Sequence, residues 1–274
     1  MENDAGKPPP ARRRPDAIDL IGPDYDQTST QPAGRTLIIC SAQRTGSYEL
    51  CRYLFAAGIG VPHEYFNANY ACRLGERWGL AKNPLEIPEL AGYIAALRQR
   101  RGQNGVFATK LQWHQFEGSL RNRIGRDLFE GATLVHLFRS DAPAQYASFR
   151  SALESGTWDF SERATTVPLV RNRGDAAGFI GQALHELDVL MGQDAGFRRL
   201  FALTGVNPIF VTTAELFERP REVIGKIAAA MQLTENSVRL EEAIAASAAY
   251  GRDRTNAVAG LSDYFRSLAF GGPV

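Results

Sequence analysis

The sequence predicts a single α/β domain, a three-layer sandwich in which helices cover both faces of a mainly parallel central sheet. Short runs that are almost continuously apolar, as buried parallel strands are, occur at residues 37–40 and 132–138. A segment with helical features follows each run, and this alternation is typical of parallel sheets. The chain has 274 residues, of which 44% are hydrophobic, and can bury one large core.

The composition excludes several classes of protein. A net charge of +1 gives no general attraction to nucleic acids or membrane surfaces. No segment reaches the roughly 18 apolar residues that cross a bilayer, so we expect a soluble, cytoplasmic protein without an integral membrane segment. Cys40, Cys51 and Cys72 have neither disulfide nor metal-ligand spacing, which predicts free thiols in a reducing compartment. The oligomeric state stays open, and a homo-oligomer is one option.

Residues 1–34 differ in composition from the rest of the chain. They are rich in proline, charge and small polar residues, with prolines at 8–10 and arginines at 12–14. Such a segment buries little apolar surface, so we predict that it is disordered or extended along the domain. It lacks the apolar central region of a secretory signal. The folded domain is predicted to span residues 35–274.

The first predicted strand, at residues 37–40, leads into a glycine turn that ends at Gly46 and Ser47. Helical spacing follows over residues 48–57. Strand, glycine turn and helix form a cradle in which backbone amides and the helix dipole converge on an anion. The loop that binds nucleoside triphosphates has a lysine directly after its last glycine, and no lysine follows Gly46. The turn is therefore predicted to bind a phosphate-like group other than magnesium ATP.

Glu64 follows Pro62, which favours an extended or turning backbone across the mouth of the glycine turn. If Glu64 is buried among its aromatic and apolar neighbours, desolvation raises its pKa and favours proton acceptance near neutral pH. The alternative is a surface glutamate in a loop. The sequence alone does not decide between the two.

Two further predicted strands end in polar residues. The second covers residues 105–114 and places Lys110, Trp113 and His114 near its end, where open parallel sheets bind ligands. The alternative for His114 is a structural, hydrogen-bonded histidine. The third strand ends at Arg139, where a triphosphatase would carry a magnesium-binding aspartate. An arginine there binds an anion directly, or forms a salt bridge with a nearby carboxylate such as Asp141.

The helix after the third strand carries clear end signals. Asp141 can cap its amino terminus, Pro143 suits its first turn, and Gly156 lies just past its end. Asp141, Gln145 and Ser148 fall on one side of this helix.

Four motifs now occur in order along the chain: Gln43-Arg44-Thr45-Gly46-Ser47, Pro62-His63-Glu64-Tyr65-Phe66, Lys110-Leu111-Gln112-Trp113, and Arg139-Ser140-Asp141 with Gln145, Ala147 and Ser148. Together they resemble the bacterial sulfotransferase family typified by trehalose 2-sulfotransferase, over residues 37 to about 160. The resemblance implies a sulfotransferase fold like that of the P-loop nucleoside triphosphate hydrolases. It also implies a donor, 3′-phosphoadenosine 5′-phosphosulfate, a carbohydrate or glycolipid acceptor, and no metal.

The resemblance assigns roles to individual residues. Glu64 takes the place of the general base, and Arg139 and Ser148 are expected to hold the 3′-phosphate of the donor. The 5′-phosphosulfate end is expected to contact four residues of the turn: Arg44, Thr45, Gly46 and Ser47. Tyr48 departs from the family, which commonly has a small hydroxyl residue there. Tyr48 is expected either to contact the donor or to reshape the acceptor side.

The remaining segments carry weaker signals. Residues 154–175 have little regular pattern, which predicts either a lid or substrate wall or a disordered excursion. A long helix is predicted at 176–201, a fourth strand at 207–212, and a helix from Pro220 to about Met231. Arg252 and Arg254 lie in a short basic segment; the resemblance implies that either arginine closes over the donor nucleotide, and the alternative is a solvated segment.

Two other functions remain open. A kinase-like phosphotransferase on the same fold would need a phosphate-loop lysine and an acidic magnesium site, and neither Ser47 nor Arg139 supplies them. A non-catalytic module that binds nucleotides or carbohydrates would bind the donor without turnover.

Overall fold

A computed structural model of the protein describes residues 20–27, 31–83, 85–156, 158, 176–234 and 237–248. Within them, five strands form one sheet: β1 Arg35–Ser41, β2 Gly102–Gln103, β3 Val106–Leu111, β4 Thr133–Phe138 and β5 Ile209–Thr212. The strand order is β2-β3-β1-β4-β5. Strands β3, β1, β4 and β5 run parallel, and β2 pairs antiparallel at the edge. The predicted fold class is confirmed.

The described helices surround this sheet. They are α1 Ser47–Ala56, α2 Ala68–Arg77, α3 Leu90–Arg100, α4 Trp113–Gln115, α5 Arg123–Phe129, α6 Ala142–Ser155, α7 Ala176–Thr204, α8 Thr213–Glu218, α9 Pro220–Ala230 and α10 Ser237–Ala248. A 3-10 turn spans Pro23–Tyr25, and a π-helical turn spans Phe116–Leu120. Among the helices of the described segments, none is both long and apolar enough to span a membrane.

The central strand β1 is buried on both faces because its side chains alternate between two cores. Leu37 and Ile39 face a core built with α1, α9 and α10. Ile38 and Cys40 face a second core that contains residues of α2, α3, α5 and α7. The three cysteines are buried free thiols, as predicted. The near-continuous apolar run is thus explained by helices on both sides.

The sheet has a topological switch point at β1. The next two parallel strands in the chain, β3 and β4, pair with opposite sides of β1. In open α/β sheets such a point creates a crevice outside the carboxyl ends of the strands, where ligands bind. Here the loops that follow Ser41, Leu111 and Phe138 leave from this edge.

Residues 20–27, part of the segment predicted to be disordered or extended along the domain, pack onto the domain. The buried Arg101 guanidinium donates to the backbone carbonyl oxygens of Leu20 at 2.8 Å and of Ile21 and Gly22 at 3.1 Å. It also contacts Asp26 at 2.6 Å. Residues 1–19 and 28–30 lie outside the described part of the chain.

Local sequence signals fixed several element boundaries. The Asp141 carboxylate accepts a hydrogen bond from the Ala144 amide at 2.9 Å and caps α6, which ends before Gly156 at a φ of +70°. The strand predicted at residues 105–114 corresponds to β3, which ends at Leu111 rather than at residue 114. Gln112 caps a helical turn there, through reciprocal hydrogen bonds with Gln115.

Candidate active site

The glycine turn between β1 and α1 is held by three other elements. Gln145 on α6 donates to the Gln43 carbonyl oxygen at 2.7 Å. Thr213 on α8 donates to the Thr45 carbonyl oxygen at 2.8 Å. Arg139, directly after β4, makes a longer contact of 3.4 Å with the Arg44 carbonyl oxygen. These contacts fix the direction of the carbonyl groups in the turn.

Gly46 gives the turn its conformation. Its φ is +84°, a left-handed backbone that disfavours side chains, and a Cβ there would lie 3.1 Å from the Phe217 ring. In the part of the chain that the structure describes, no side chain caps α1. Within the described residues, the amides of Thr45, Gly46 and Ser47 donate no backbone hydrogen bond. The amino terminus of α1 therefore has the features of an anion-binding site.

A cavity of about 500 Å³ opens over the turn. Nine predicted site residues line it: Arg44, Gly46, Ser47, Tyr48, Glu64, Lys110, His114, Arg139 and Ser148. Nine further residues line the cavity and were not predicted as site residues: Gln43, Asn67, Asn69, Tyr70, Arg73, Gln112, Trp158, Thr213 and Phe217. We call Arg44, Gly46, Ser47, Arg139 and Ser148 the glycine-turn wall, and Asn67, Asn69, Tyr70 and Arg73 the α2 wall.

Contacts between side chains order the glycine-turn wall. The Arg44 guanidinium donates from Nε to the Ser148 hydroxyl at 3.0 Å, and from Nη1 to the Trp158 carbonyl oxygen at 2.6 Å. Arg44 itself has a left-handed φ of +64°. A non-glycine residue in that conformation is uncommon and occurs often at functional sites. Two arginines and a hydroxyl thus face the same part of the cavity.

Glu64 reaches the cavity because its segment runs beside β3. His63 forms a parallel bridge with Thr109, and the Lys110 amide donates to the His63 carbonyl oxygen at 2.9 Å. Glu64 is therefore placed next to Lys110, and only 3% of the surface of Glu64 is exposed. The alternative of a surface glutamate is excluded.

Four donors surround the Glu64 carboxylate. Lys110 Nζ lies at 2.5 Å, and the side-chain amide of Gln115 lies at 2.5 Å. Asn67 donates at 3.1 Å and Gln112 at 3.3 Å. This network holds the carboxylate in one orientation at the edge of the cavity.

The expected direction of the Glu64 pKa was wrong. Burial alone raises the pKa of this carboxyl group, but the charge of Lys110 and the hydrogen bonds from Lys110, Asn67 and Gln115 outweigh burial, so the pKa lies below its usual value. Glu64 is consequently ionised at neutral pH. It can accept a proton there, because it is already in its basic form.

Tyr48 lies on the Glu64 side of the cavity. Lys110 Nζ is 3.6 Å from the centre of the Tyr48 ring, a cation–π contact, and the Tyr48 hydroxyl is 3.4 Å from that of Tyr70. The imidazole of His63 packs edge-on against Tyr70, with a centroid separation of 4.5 Å. Burial, with the nearby charge of Lys110, lowers the pKa of His63 to about 3, so this imidazole is neutral.

The side chains of two predicted site residues, Thr45 and Trp113, do not line the cavity. The Thr45 side chain is buried and donates to the Ala42 carbonyl oxygen at 3.1 Å, so only its backbone is available to the cavity. Trp113 is partly buried and packs against Phe116 and Phe197, because the helical turn after Gln112 directs it away from the cavity. His114 is exposed and lines the cavity. Arg252 and Arg254, like most of residues 154–175, lie outside the described residues.

Four of the nine lining residues that were not predicted lie on α2 or cap it. Asn67 caps that helix by accepting from the Asn69 amide, and Tyr70 and Arg73 follow at helical spacing. An asparagine cap followed by polar residues three and four positions apart was the available signal. In the described part of the chain, no group of three or more His, Cys, Asp or Glu residues is placed to hold a metal ion.

A parallel sheet with a preformed glycine turn at its switch point, facing cationic side chains, is typical of α/β proteins that bind phosphorylated ligands. A family model described as Stf0 sulphotransferase matches residues 36–254, and the chain belongs to this family of sulfotransferase enzymes. The resemblance inferred from the four motifs is confirmed.

Two curated relatives are similar over most of their length, and both are named trehalose 2-sulfotransferase. The protein from Mycolicibacterium smegmatis is 26% identical over 229 residues, which cover 71% of this chain and 83% of the relative. The protein from Mycobacterium tuberculosis is 24% identical over 232 residues, which cover 74% of this chain and 82% of the relative.

Proposed function

We propose that this sulfotransferase moves a sulfuryl group from 3′-phosphoadenosine 5′-phosphosulfate to a hydroxyl group of a carbohydrate or glycolipid acceptor. One observation carries the proposal: an ionised, buried Glu64 and the glycine turn line the same cavity of about 500 Å³. Such a cavity is large enough for small-molecule ligands. It would place a proton acceptor opposite an anion-binding turn.

The glycine-turn wall fits the donor. The amides of Thr45, Gly46 and Ser47 would bind the 5′-phosphosulfate end, together with the side chain of Arg44. The glycine at position 46 permits the left-handed backbone of the turn, and a Cβ there would press on the Phe217 ring. Arg139 and Ser148 would bind the 3′-phosphate, since guanidinium groups form strong paired hydrogen bonds with phosphate oxygens.

Glu64 would act as the general base. As the acceptor oxygen forms its bond to sulfur, the bond from sulfur to the bridging phosphate oxygen breaks, and its electron pair stays on the phosphate. The proton of the acceptor hydroxyl passes to the Glu64 carboxylate. Arg44 and the turn amides would stabilise the negative charge that develops on the leaving phosphate.

Lys110 would keep Glu64 in the ionised form that accepts the proton. Its charge lowers the pKa of the Glu64 carboxyl group and keeps it ionised. The donors Gln112 and Gln115 would orient the carboxylate, so we assign them as positioning residues rather than catalytic ones. Because both curated relatives are named for trehalose, this disaccharide is the first acceptor to test.

The test is thermal unfolding of the protein with 3′-phosphoadenosine 5′-phosphate, compared with ADP plus magnesium. A ligand that binds the folded state raises its stability by mass action. We expect a higher Tm with the 3′-phosphorylated nucleotide alone, followed by transfer of labelled sulfate to trehalose or another sugar. A higher Tm only with ADP and magnesium would overturn the proposal in favour of a kinase-like enzyme. Binding of the nucleotide without transfer to any sugar would instead favour a binding module.

A further inference from the structure

The charges that line the cavity do not balance. Four cations line it, Arg44, Arg73, Lys110 and Arg139, and Glu64 is the only acidic side chain doing so in the described part of the chain. Lys110 is paired with Glu64 at 2.5 Å. Arg44 and Arg139 belong to the glycine-turn wall, where the donor phosphates are proposed to bind. Among the described residues, Arg73 is left without a counter-charge.

Arg73 is exposed, and within the described residues it makes no ion pair or hydrogen bond. It lies four residues after Asn69 and three after Tyr70, so the three side chains share one face of α2. All three line the cavity. An unpaired arginine that points into a ligand cavity is suited to bind an anionic group of that ligand.

The α2 wall is continuous with the proposed general base. Asn67, the cap of α2, donates to the Glu64 carboxylate at 3.1 Å. Tyr70 packs on His63, the residue before Glu64, and the charge of Arg73 is among those that act on this imidazole, after burial and Lys110. The acceptor hydroxyl must lie next to Glu64 to lose its proton. The rest of the acceptor would therefore contact the α2 wall.

We infer that the acceptor is a sugar that already carries an anionic group, such as a carboxylate or a phosphate, and that Arg73 binds this group. The inference rests on the proposed function, because it takes Glu64 to mark the acceptor side. Asn69 and the ring of Tyr70 supply a hydrogen-bonding amide and an aromatic surface, which suit the uncharged part of a sugar. The neutral sugar in the names of the two relatives would then be a poorer acceptor for this protein.

The experiment compares three acceptors with the same scaffold: trehalose, trehalose 6-phosphate and trehalose oxidised to a carboxylate at one 6-position. We expect kcat/KM for at least one anionic sugar to exceed that for trehalose by about tenfold or more, the effect of one charge-assisted hydrogen bond. The two anionic sugars distinguish a phosphate from a carboxylate. In the Arg73→Gln variant the ratio of anionic to neutral kcat/KM should fall by about tenfold or more.

Arg123→Gln is the matched control, since it removes one exposed arginine that does not line the cavity. Arg123→Gln should leave the ratio of anionic to neutral kcat/KM unchanged. This result would distinguish binding of the anionic group by Arg73 from an effect of the net charge of the protein. Calorimetry with the protein saturated with 3′-phosphoadenosine 5′-phosphate measures binding of each sugar independently of turnover. Equal or better use of trehalose would overturn the inference and leave the proposed function intact. The inference would also be overturned if the protein bound 3′-phosphoadenosine 5′-phosphate but neither bound nor sulfated any of the three sugars.

Weaker binding of 3′-phosphoadenosine 5′-phosphate to Arg73→Gln would also overturn the inference, because Arg73 would then serve the donor. If the wild-type protein binds no 3′-phosphorylated nucleotide, the proposed function itself fails. The two failures are therefore distinguished by one nucleotide titration.

Discussion

The glycine-turn wall and the α2 wall face the same cavity but are built differently. Backbone carbonyl groups of the turn are held by side chains from α6, α8 and the end of β4, and the amides stay available. On the α2 wall, Asn69 and Arg73 are exposed side chains on one helix. Rigid backbone suits a ligand part that does not vary, whereas exposed side chains can be changed at little cost to stability. The comparison fits the proposal that the donor site is fixed and the acceptor site adaptable.

The largest expected effect is at Glu64, the proposed general base. Glu64→Gln should lower turnover by about 10²- to 10⁴-fold, the usual contribution of a general base, while affinity for 3′-phosphoadenosine 5′-phosphate is retained. Single-turnover transfer of labelled sulfate and a nucleotide titration measure the two quantities. Glu186→Gln is the control, since Glu186 pairs with Arg150 at 3.0 Å and does not line the cavity. A fully active Glu64→Gln protein would refute the assignment of the base.

Lys110→Met should lower the free energy of unfolding by about 3–5 kcal/mol, because it leaves a buried carboxylate without its partner. The pKa of Glu64 should then rise, since burial remains and the opposing charge is gone. The acidic limb of the rate profile should move to higher pH. Urea unfolding and a pH–rate profile test both effects.

The double variant Glu64→Gln, Lys110→Met sharpens this prediction. It removes both charges and should recover most of the lost stability without recovering activity. In the wild-type protein, the lowered pKa of Glu64 contributes stability above its unfolded pKa of about 4.3, and this is lost as the pH falls through the folded pKa. Lys110→Met should therefore flatten the loss of stability in acid. No difference between the single and double variants would contradict the pairing.

On the glycine-turn wall, Arg139→Ala should weaken binding of 3′-phosphoadenosine 5′-phosphate by at least about 1.5 kcal/mol, or roughly tenfold in Kd. Isothermal titration checks this. Arg126→Ala removes an exposed arginine on α5 that does not line the cavity and should leave Kd unchanged. Unchanged affinity in Arg139→Ala would remove this residue from the donor site.

The smallest expected effect is that of a single methyl group. Gly46→Ala should lower the free energy of unfolding by about 1–2 kcal/mol, the cost of a left-handed backbone for alanine, and should weaken nucleotide binding. Gly225→Ala on α9 is the matched control, because its Cβ meets nothing within 4 Å. It should raise stability by about 0.5–1 kcal/mol. If both variants gained stability, the turn would not require its glycine.

The sequence was sufficient to predict features that depend on a few neighbouring residues. The turn at Gly46 and the capped start of α6 at Asp141 were predicted because a few adjacent residues determine them. The surroundings of Glu64 were not, since Lys110 and Gln115 are about 50 positions away and are brought close only by parallel pairing beside β3. The direction of the Glu64 pKa was missed for this reason.

Arg101 has a consequence for the limits of the folding unit. Sequence similarity to the family begins at residue 36, but this fully buried guanidinium has its partners at residues 20–26. A fragment that starts at residue 36 would lose these hydrogen bonds and this ion pair and would uncover the guanidinium, so we expect it to be less stable than one that starts at residue 20. The packed unit therefore includes residues that precede the segment matched by the family model.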